Sequence, residues 1–401
     1  MACSVSPDRS SPSILERWRS PILVLAAVVV GAVGWSGHVL TLPVALLFPV
    51  LWSSAPSRMM VGLISAGYFL AASRGLPQGV ATFFASDFGS GLLLWVGASL
   101  SFVVVQTALW TKRSGTQKGL RFLLATVLMA APPFGITGWA QPVTAAGVLF
   151  PGWSWWGLAA TVIGLVLLTT DRWRSALLVL YVAWLWSAVT WVPPVEPAKW
   201  KAVDLDLGRS LGRDLALERQ RDLVDRARLA AGEVADVVVL PESALGFWTP
   251  TVERLWHDEL GGGGGIIVIA GAAIVDDKGY DNAIVAISAA GGQVLYRERM
   301  PVPVSMWQPW RTLTGQVGGA RANFFANPVA ELAGARIAPL ICYEQLLVWP
   351  ILQSMLHAPD VVIGIGNAWW TAGSSITDIQ RASLAAWASL FGLPLVVAVN
   401  T

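Results

Sequence analysis

The chain has 401 residues and a net charge of +2, and only 13% of it is charged while 55% is apolar; an ordinary soluble domain carries roughly 25% charge. A mean hydropathy of +0.59 and 22 tryptophans exclude a disordered chain and a disulfide-rich secreted domain, and argue against a plain cytosolic enzyme. The charge is divided: residues 1–200 carry 12 Lys and Arg against 5 Asp and Glu, and residues 201–401 carry 15 against 20.

Residues 1–20 read as a cytoplasmic tail, and residues 21–198 as a membrane domain. Pro21–Ser57, Phe88–Thr111, Phe122–Thr170 and Ser175–Val195 contain no Asp, Glu, Lys or Arg. About 20 apolar residues cross the hydrocarbon layer as a helix. The runs therefore predict about seven spans, near 21–37, 39–56, 59–75, 88–110, 121–140, 147–170 and 175–193, with Pro132-Pro133 kinking the fifth. With that count, Arg17, Arg19, Arg58, Lys112, Arg113, Lys118, Arg121, Arg172 and Arg174 all fall on one side. The positive side faces the cytoplasm, so residues 199–401 are expected in the periplasm of a multi-pass inner-membrane protein. No A-x-A-like site follows 21–37, so that stretch reads as an uncleaved anchor.

From Lys199 the texture becomes that of an α/β domain. Lys201–Leu207 alternates as a strand does, and Arg209–Glu233 places Leu211, Leu215, Leu223 and Ala227 at helical spacing. Apolar runs of strand length follow at Val237–Leu240, Ile266–Ala270, Ala283–Ile287, Ile337–Ile341, Val361–Ile365 and Leu395–Val399. Helical stretches near 344–357 and 377–391 separate the later runs, as in a layered α/β fold. Gly261–Gly265 lacks the Lys-Ser or Lys-Thr of a phosphate loop and reads as a turn. Two cysteines, Cys3 and Cys342, and three scattered histidines form no zinc signature. No metal, cofactor or nucleic-acid partner is expected.

Three places carry candidate chemistry. Glu242, in Leu-Pro-Glu-Ser, ends an apolar strand, where open α/β sheets bind ligands; a solvated loop acid would sit there equally well. Cys342, in Leu-Ile-Cys-Tyr-Glu, lies at a strand-to-helix junction. Such a turn presents a nucleophile beside backbone N–H donors, and a helix N-terminus lowers a thiol pKa. A buried structural cysteine is the commoner fate of a lone Cys. Tyr296-Arg-Glu298-Arg299 is a polar strand end running into a proline-bound loop.

Taken in order, Pro-Glu-Ser (241–243), Tyr-Asp-Asn-Ala (280–283), Val-Leu-Tyr-Arg-Glu-Arg (294–299), Leu-Ile-Cys-Tyr-Glu (340–344) and Gly-Asn-Ala-Trp-Trp (366–370) resemble the carbon–nitrogen hydrolase, or nitrilase, superfamily. The multi-span first half resembles its membrane branch, the apolipoprotein N-acyltransferases. The resemblance implies a multi-span α-helical membrane domain followed by an αββα sandwich, whose triad is Glu, Lys and Cys. It assigns Glu242 as the base and Cys342 as the nucleophile that forms a thioester. Tyr343, Glu344, Asn367 and Trp369 match the residues expected around the substrate. Implied partners are a membrane lipid or lipid-linked acyl donor, and envelope or conjugation proteins.

Two departures bear on activity. Glu298 stands where the family has its lysine, and Met306 where it has a second carboxylate; Arg297 and Arg299 are one residue off, which in a strand points them to the other face. A bulge would be needed to bring Arg297 or Arg299 round beside Glu298. Family members also continue past Asn400-Thr401, so the domain is expected to lack its C-terminal end. Two functions follow: a thiol acyltransferase or amidase with an altered triad, favoured by Glu242, Cys342, Tyr343 and Glu344, or a degenerate scaffold, favoured by Glu298 and Met306.

Overall fold

The computed structural model describes residues 14–113, 115–210, 217–232, 234–261 and 265–401; Cys3, Leu211, Leu215 and the middle of the Gly261–Gly265 run lie outside them. The first half is helical: α1 (Ile14–Gly34), a 3-10 segment (Val39–Leu47), α2 (Phe48–Ser54), α3 (Arg58–Ala72), α4 (Leu76–Phe84), α5 (Phe88–Leu109), α6 (Thr116–Ala130), α7 (Ala146–Leu149), α8 (Ser154–Leu168) and α9 (Trp173–Thr190). Side-chain caps begin two of them: Ser57 Oγ accepts from Met60 N at 3.3 Å, and Asp87 Oδ1 from Ser90 N at 2.9 Å.

These helices follow the expected apolar runs, but several are shorter than the runs themselves. Among the described residues, Phe88–Leu109 and Trp173–Thr190 are each long and apolar enough to cross a membrane, and α3 with α4 would make a third across a 57° bend. Proline is the local cause. Pro43 sits in the 3-10 segment, Pro77 opens α4 after the bend, and α6 stops at Ala130 before Pro132-Pro133 where a kinked helix to about 140 was expected. At the other end, α1 starts at Ile14, seven residues inside the expected tail.

The second half contains α10 (Leu217–Ala231), α11 (Pro250–Gly261), α12 (Trp310–Leu313), α13 (Val348–Met355) and α14 (Ile376–Phe391) around two sheets. The first sheet has the order β1 (Trp200–Ala202), β2 (Val237–Val239), β3 (Ile267–Asp276), β4 (Gly279–Ser288), β5 (Gly291–Arg297), parallel across β1–β3 and antiparallel from there. The second runs β6 (Ala330–Leu332), β7 (Ala335–Ile341), β8 (Val361–Asn367), β9 (Leu395–Asn400), with β7, β8 and β9 parallel. β6, α11 and α12 are additions to the expected elements, and β5 is the strand whose polar end was expected at Tyr296.

Period-two alternation sorts each strand between two cores. Val237, Val239, Ile269 and Ile284 of the first sheet pack against Ile337, Ile363, Ile365 and Val396 of the second. Val238, Val268, Ala270 and Val285 face the other way, onto Leu223 and Val224 of α10 and Trp256 of α11. Ala338, Leu340 and Val362 face outward onto Leu384 and Trp387 of α14, in a core continuous with Trp35, Phe48 and Phe69 of the helical half. The layers are helix, sheet, sheet, helix, with the outer helix layer shared between the halves. At α7, a Cβ on Gly147 would collide with the Ala386 carbonyl oxygen of α14, so glycine permits that approach.

Candidate active site

The carboxyl ends of the parallel strands converge on one place. β2 leads to Pro241-Glu242, β7 to Cys342, and β8 to Asn367 and Trp369. The Pro241-Glu242 backbone crosses directly over β3. Gly271 N donates to Pro241 O at 3.0 Å, and a Cβ on Gly271 would lie 2.5 Å from Glu242 Cα. Cys342 has a φ of +45° at the step from β7 into the 3-10 turn Cys342–Leu346. That is the left-handed region, costly for a residue with a Cβ, and it turns the thiol out of the sheet at a sharp elbow.

The thiol is buried and receives Gln380 Nε2 at 3.8 Å, and the Asn367 backbone N–H lies close enough to act on both the thiol and Glu242. Glu242 lies beside it. Burial pushes the Glu242 carboxyl up to about 7, opposed by hydrogen bonds from Asn282 and the thiol. Burial, and then the charges of Glu242 and Glu298, push the Cys342 thiol well above its ordinary value. The expected lowering by a helix N-terminus is therefore overridden: the resting group is a thiol, beside a base poised near neutrality.

Glu298 follows β5 and is 1% exposed. Asn282 of β4 donates from the same nitrogen to Glu242 Oε1 at 2.7 Å and to Glu298 Oε2 at 2.9 Å. Burial, and then the charges of Glu344 and Glu242, push the Glu298 carboxyl well above the usual carboxylate range. Asn282 is a site residue to which the reading of the sequence gave no role, although it lies in the Tyr-Asp-Asn-Ala stretch that carries the family resemblance.

The arginines do not reach the thiol. A register shift does occur between Ile284 and Val285 where β4 meets β5, but beyond it Arg297 pairs with Asp281. Arg299 is fully buried and donates to Tyr296 Oη at 2.9 Å, Gln353 Oε1 at 3.0 Å and Ser354 Oγ at 3.0 Å. Its guanidinium is thus committed to the far side of the strand end, because each of its three nitrogens donates to an acceptor there. Of the two alternatives, an arginine brought round beside Glu298 or a site without that cation, the side-chain pairing fits the second.

Glu344 also differs from its expected place around the substrate. It is fully buried, accepts from Tyr296 Oη, Arg299 N, Met300 N and Ile341 N at 2.7–3.1 Å, and its Oε1 lies 3.9 Å from Arg299 Nε. It ties the loop after β5 to the cysteine elbow, and it does not line the cavity.

A cavity of about 670 Å³ opens over the pair. Glu242, Asn282, Cys342, Tyr343, Asn367, Trp369, Gln380 and Met306 are among its lining residues. The helical half adds mostly apolar side chains, among them Phe83, Phe84, Val80, Leu94 and Trp139. Phe83 stacks on Trp369 with centroids 5.9 Å apart, and Tyr343 Oη donates to Ile136 O at 2.8 Å. Among the described residues, no group of His, Cys, Asp and Glu is arranged to hold a metal ion.

The carbon–nitrogen hydrolase family model matches residues 70–389. The chain is 57% identical to a conjugal transfer protein TraB of Agrobacterium fabrum, over 98% of this chain and 96% of that one. It is 60% identical to a probable conjugal transfer protein TraB of Sinorhizobium fredii, over 95% and 98%. An amidase structure from Nesterenkonia sp. is similar at a TM-score of 0.38 and 13% identity, over 51% of this chain and 78% of that one. By the family match, which starts in the helical half and runs through both motif-bearing strands, and by full-length relatives above half identity, the chain belongs to the carbon–nitrogen hydrolase family.

Proposed function

We propose that the protein is a membrane-anchored thiol acyltransferase or amidase, working at the outer face of the bacterial inner membrane in support of conjugal transfer. The observation that carries this reading is the shared cavity: the Glu242–Cys342 pair opens onto an apolar chamber walled by α4 and α5. An acyl chain with its carbonyl at the thiol fits that division of polar and apolar lining. The seven-span topology, the periplasmic placement of residues 199–401 and a lipid or lipid-linked acyl donor belong to the same proposal, as do envelope or conjugation partners, which the relatives' names support.

In the proposed reaction, Glu242 takes the thiol proton while Cys342 Sγ attacks the ester or amide carbonyl. The tetrahedral intermediate expels an alcohol or amine, which receives that proton from Glu242, and a thioester remains. An acceptor amine or water then attacks the thioester carbonyl and gives its proton to Glu242. Cys342 leaves as thiolate and is reprotonated by Glu242, which restores the starting state. The Asn367 backbone N–H faces the thiol and is the donor available to the developing oxyanion.

Intact-mass analysis of the purified chain after incubation with phospholipid tests this. The expected result is an acyl adduct on Cys342 that hydroxylamine removes and that Cys342→Ala lacks. The second reading, a degenerate scaffold, is favoured by one observation: Arg297 and Arg299 are both committed away from the thiol and Glu298 occupies the lysine position. Absence of any adduct would establish that reading over the first.

A further inference from the structure

Two carboxyl groups meet at one amide nitrogen in the cavity wall. Asn282 Nδ2 lies 2.7 Å from Glu242 Oε1 and 2.9 Å from Glu298 Oε2, and an amide nitrogen carries two hydrogens, one for each acceptor. The other oxygens, Glu242 Oε2 and Glu298 Oε1, have no hydrogen-bond partner among the described residues. Glu242 is 5% exposed and Glu298 1%, so both carboxyls are buried. The groups facing Glu298 from other elements are Glu242, Glu344 and the Cys342 thiol, all acidic. On its own stretch, Tyr296 is held by Glu344, Arg297 by Asp281, and Arg299 by Tyr296, Gln353 and Ser354. Two ionised carboxylates joined only by a neutral amide, with no cation among the described residues turned to them, would repel strongly.

We propose that Glu298 is a proton-bearing positioning residue, the neutral member of a Glu242–Glu298 pair that shares Asn282 and carries a single negative charge. The position that holds a cation elsewhere in the family is then uncharged here. Glu298 as an acid keeps the Asn282 nitrogen aimed between the two groups and adds no second charge that would oppose ionisation of Glu242. A lysine at 298 would pair with Glu242 directly and weaken it as a base. The burial that raises both carboxyls supports this order of titration, in which Glu242 ionises first. The inference rests on Glu242 being the base and does not require turnover.

The test uses the full chain and two readouts. The first is the pH dependence of Cys342 alkylation by a small maleimide entering through the cavity, in wild type, Glu298→Gln and Glu298→Ala. Glutamine copies the neutral acid, so the acid midpoint is expected to move by less than about half a unit, whereas removing an ionised neighbour would lower it by about 1–3 units. Alanine loses the Asn282 clamp and is expected to slow alkylation about tenfold, with glutamine restoring most of the rate. The second readout is the infrared carbonyl stretch of a protonated carboxyl, expected to persist in wild type at about pH 8, far above the ordinary Glu range, and to vanish in Glu298→Gln. A midpoint lowered by a unit or more in Glu298→Gln, or no such band in wild type, overturns the assignment. Neither readout involves an acyl donor, so a protein that fails to acylate at Cys342 refutes the proposed activity separately.

Discussion

Replacing Glu344 tests whether the carboxylate next to the cysteine holds substrate or holds the elbow. Four donors converge on it, one hydroxyl and three backbone N–H groups, and the Arg299 guanidinium lies alongside. In Glu344→Ala those donors are left buried without an acceptor and Arg299 keeps a charge with no carboxylate beside it. Removing one partner of a buried charged cluster costs about 3–5 kcal/mol, a large part of the ~5–15 kcal/mol of a whole domain. For a domain of this size that is a fall in unfolding midpoint of about 6–20 °C. Glu344→Gln keeps the shape and one carbonyl oxygen and is expected to cost about 1–3 kcal/mol. The assay is thermal unfolding of the detergent-solubilised chain, followed by near-ultraviolet circular dichroism, with ligand protection of Cys342 measured on the folded fraction. An alanine variant that melts within about 2 °C of wild type but loses ligand protection would refute the structural role and return Glu344 to the substrate.

Three further outcomes are expected. Because the Glu242 carboxyl sits near 7, above its unfolded value, it is protonated and unable to accept the thiol proton at lower pH; Cys342 alkylation should fall about tenfold per unit below that midpoint, and Glu242→Gln should remove the step. The same shift makes Glu242 destabilising where it ionises: its contribution favours the fold below about pH 4.5 and is lost as pH rises through about 7, so Glu242→Gln should gain stability relative to wild type at pH 8, read from the same melting curves. A reporter active only in the cytoplasm, fused after Thr401, should be silent in cells; a bright fusion would sink the periplasmic placement.

Much of the fold was legible because local pattern and tertiary environment agree. Val361–Ile365 and Leu395–Val399 are uninterrupted apolar runs, as strands covered on both faces must be, and they are β8 and β9 to within two residues. β5 was harder to read, since Gly291-Gly292-Gln293 carries no apolar signal and its strand is made by pairing with β4. In the helical half, hydropathy reports the apolar runs but not the breaks at Pro43, Pro77 and Pro132-Pro133, so segment lengths were overestimated. At the site, Glu242 and Cys342 are where strand ends with a polar residue place them. Glu344 was not separable from a substrate ligand, because a carboxylate next to a nucleophile reads alike whether its donors come from a substrate or from Tyr296 and the backbone of 299, 300 and 341.

The same limit explains the arginines. Alternation alone puts Arg297 and Arg299 on the face opposite Glu298, and the register shift at Ile284 left room for the reverse. What decides the matter is supply of acceptors: Asp281 lies beside Arg297, and Gln353 and Ser354 of α13 reach Arg299 from 54 and 55 residues away. A guanidinium with matched acceptors on one side gains nothing by turning toward a buried acid on the other. The charge state of Glu298 then follows from this geometry, since no cation among the described residues is left to hold it ionised. If the site turns over, it does so with a neutral acid where the family has an ammonium, and its oxyanion must rely on backbone donors such as Asn367 N–H. Glu298→Lys separates the two designs. A restored cation would raise acylation of Cys342 if oxyanion stabilisation limits the native rate. It would lower acylation if pairing with Glu242 removes the base, and the second outcome is the one expected from two carboxyls that share a single asparagine nitrogen.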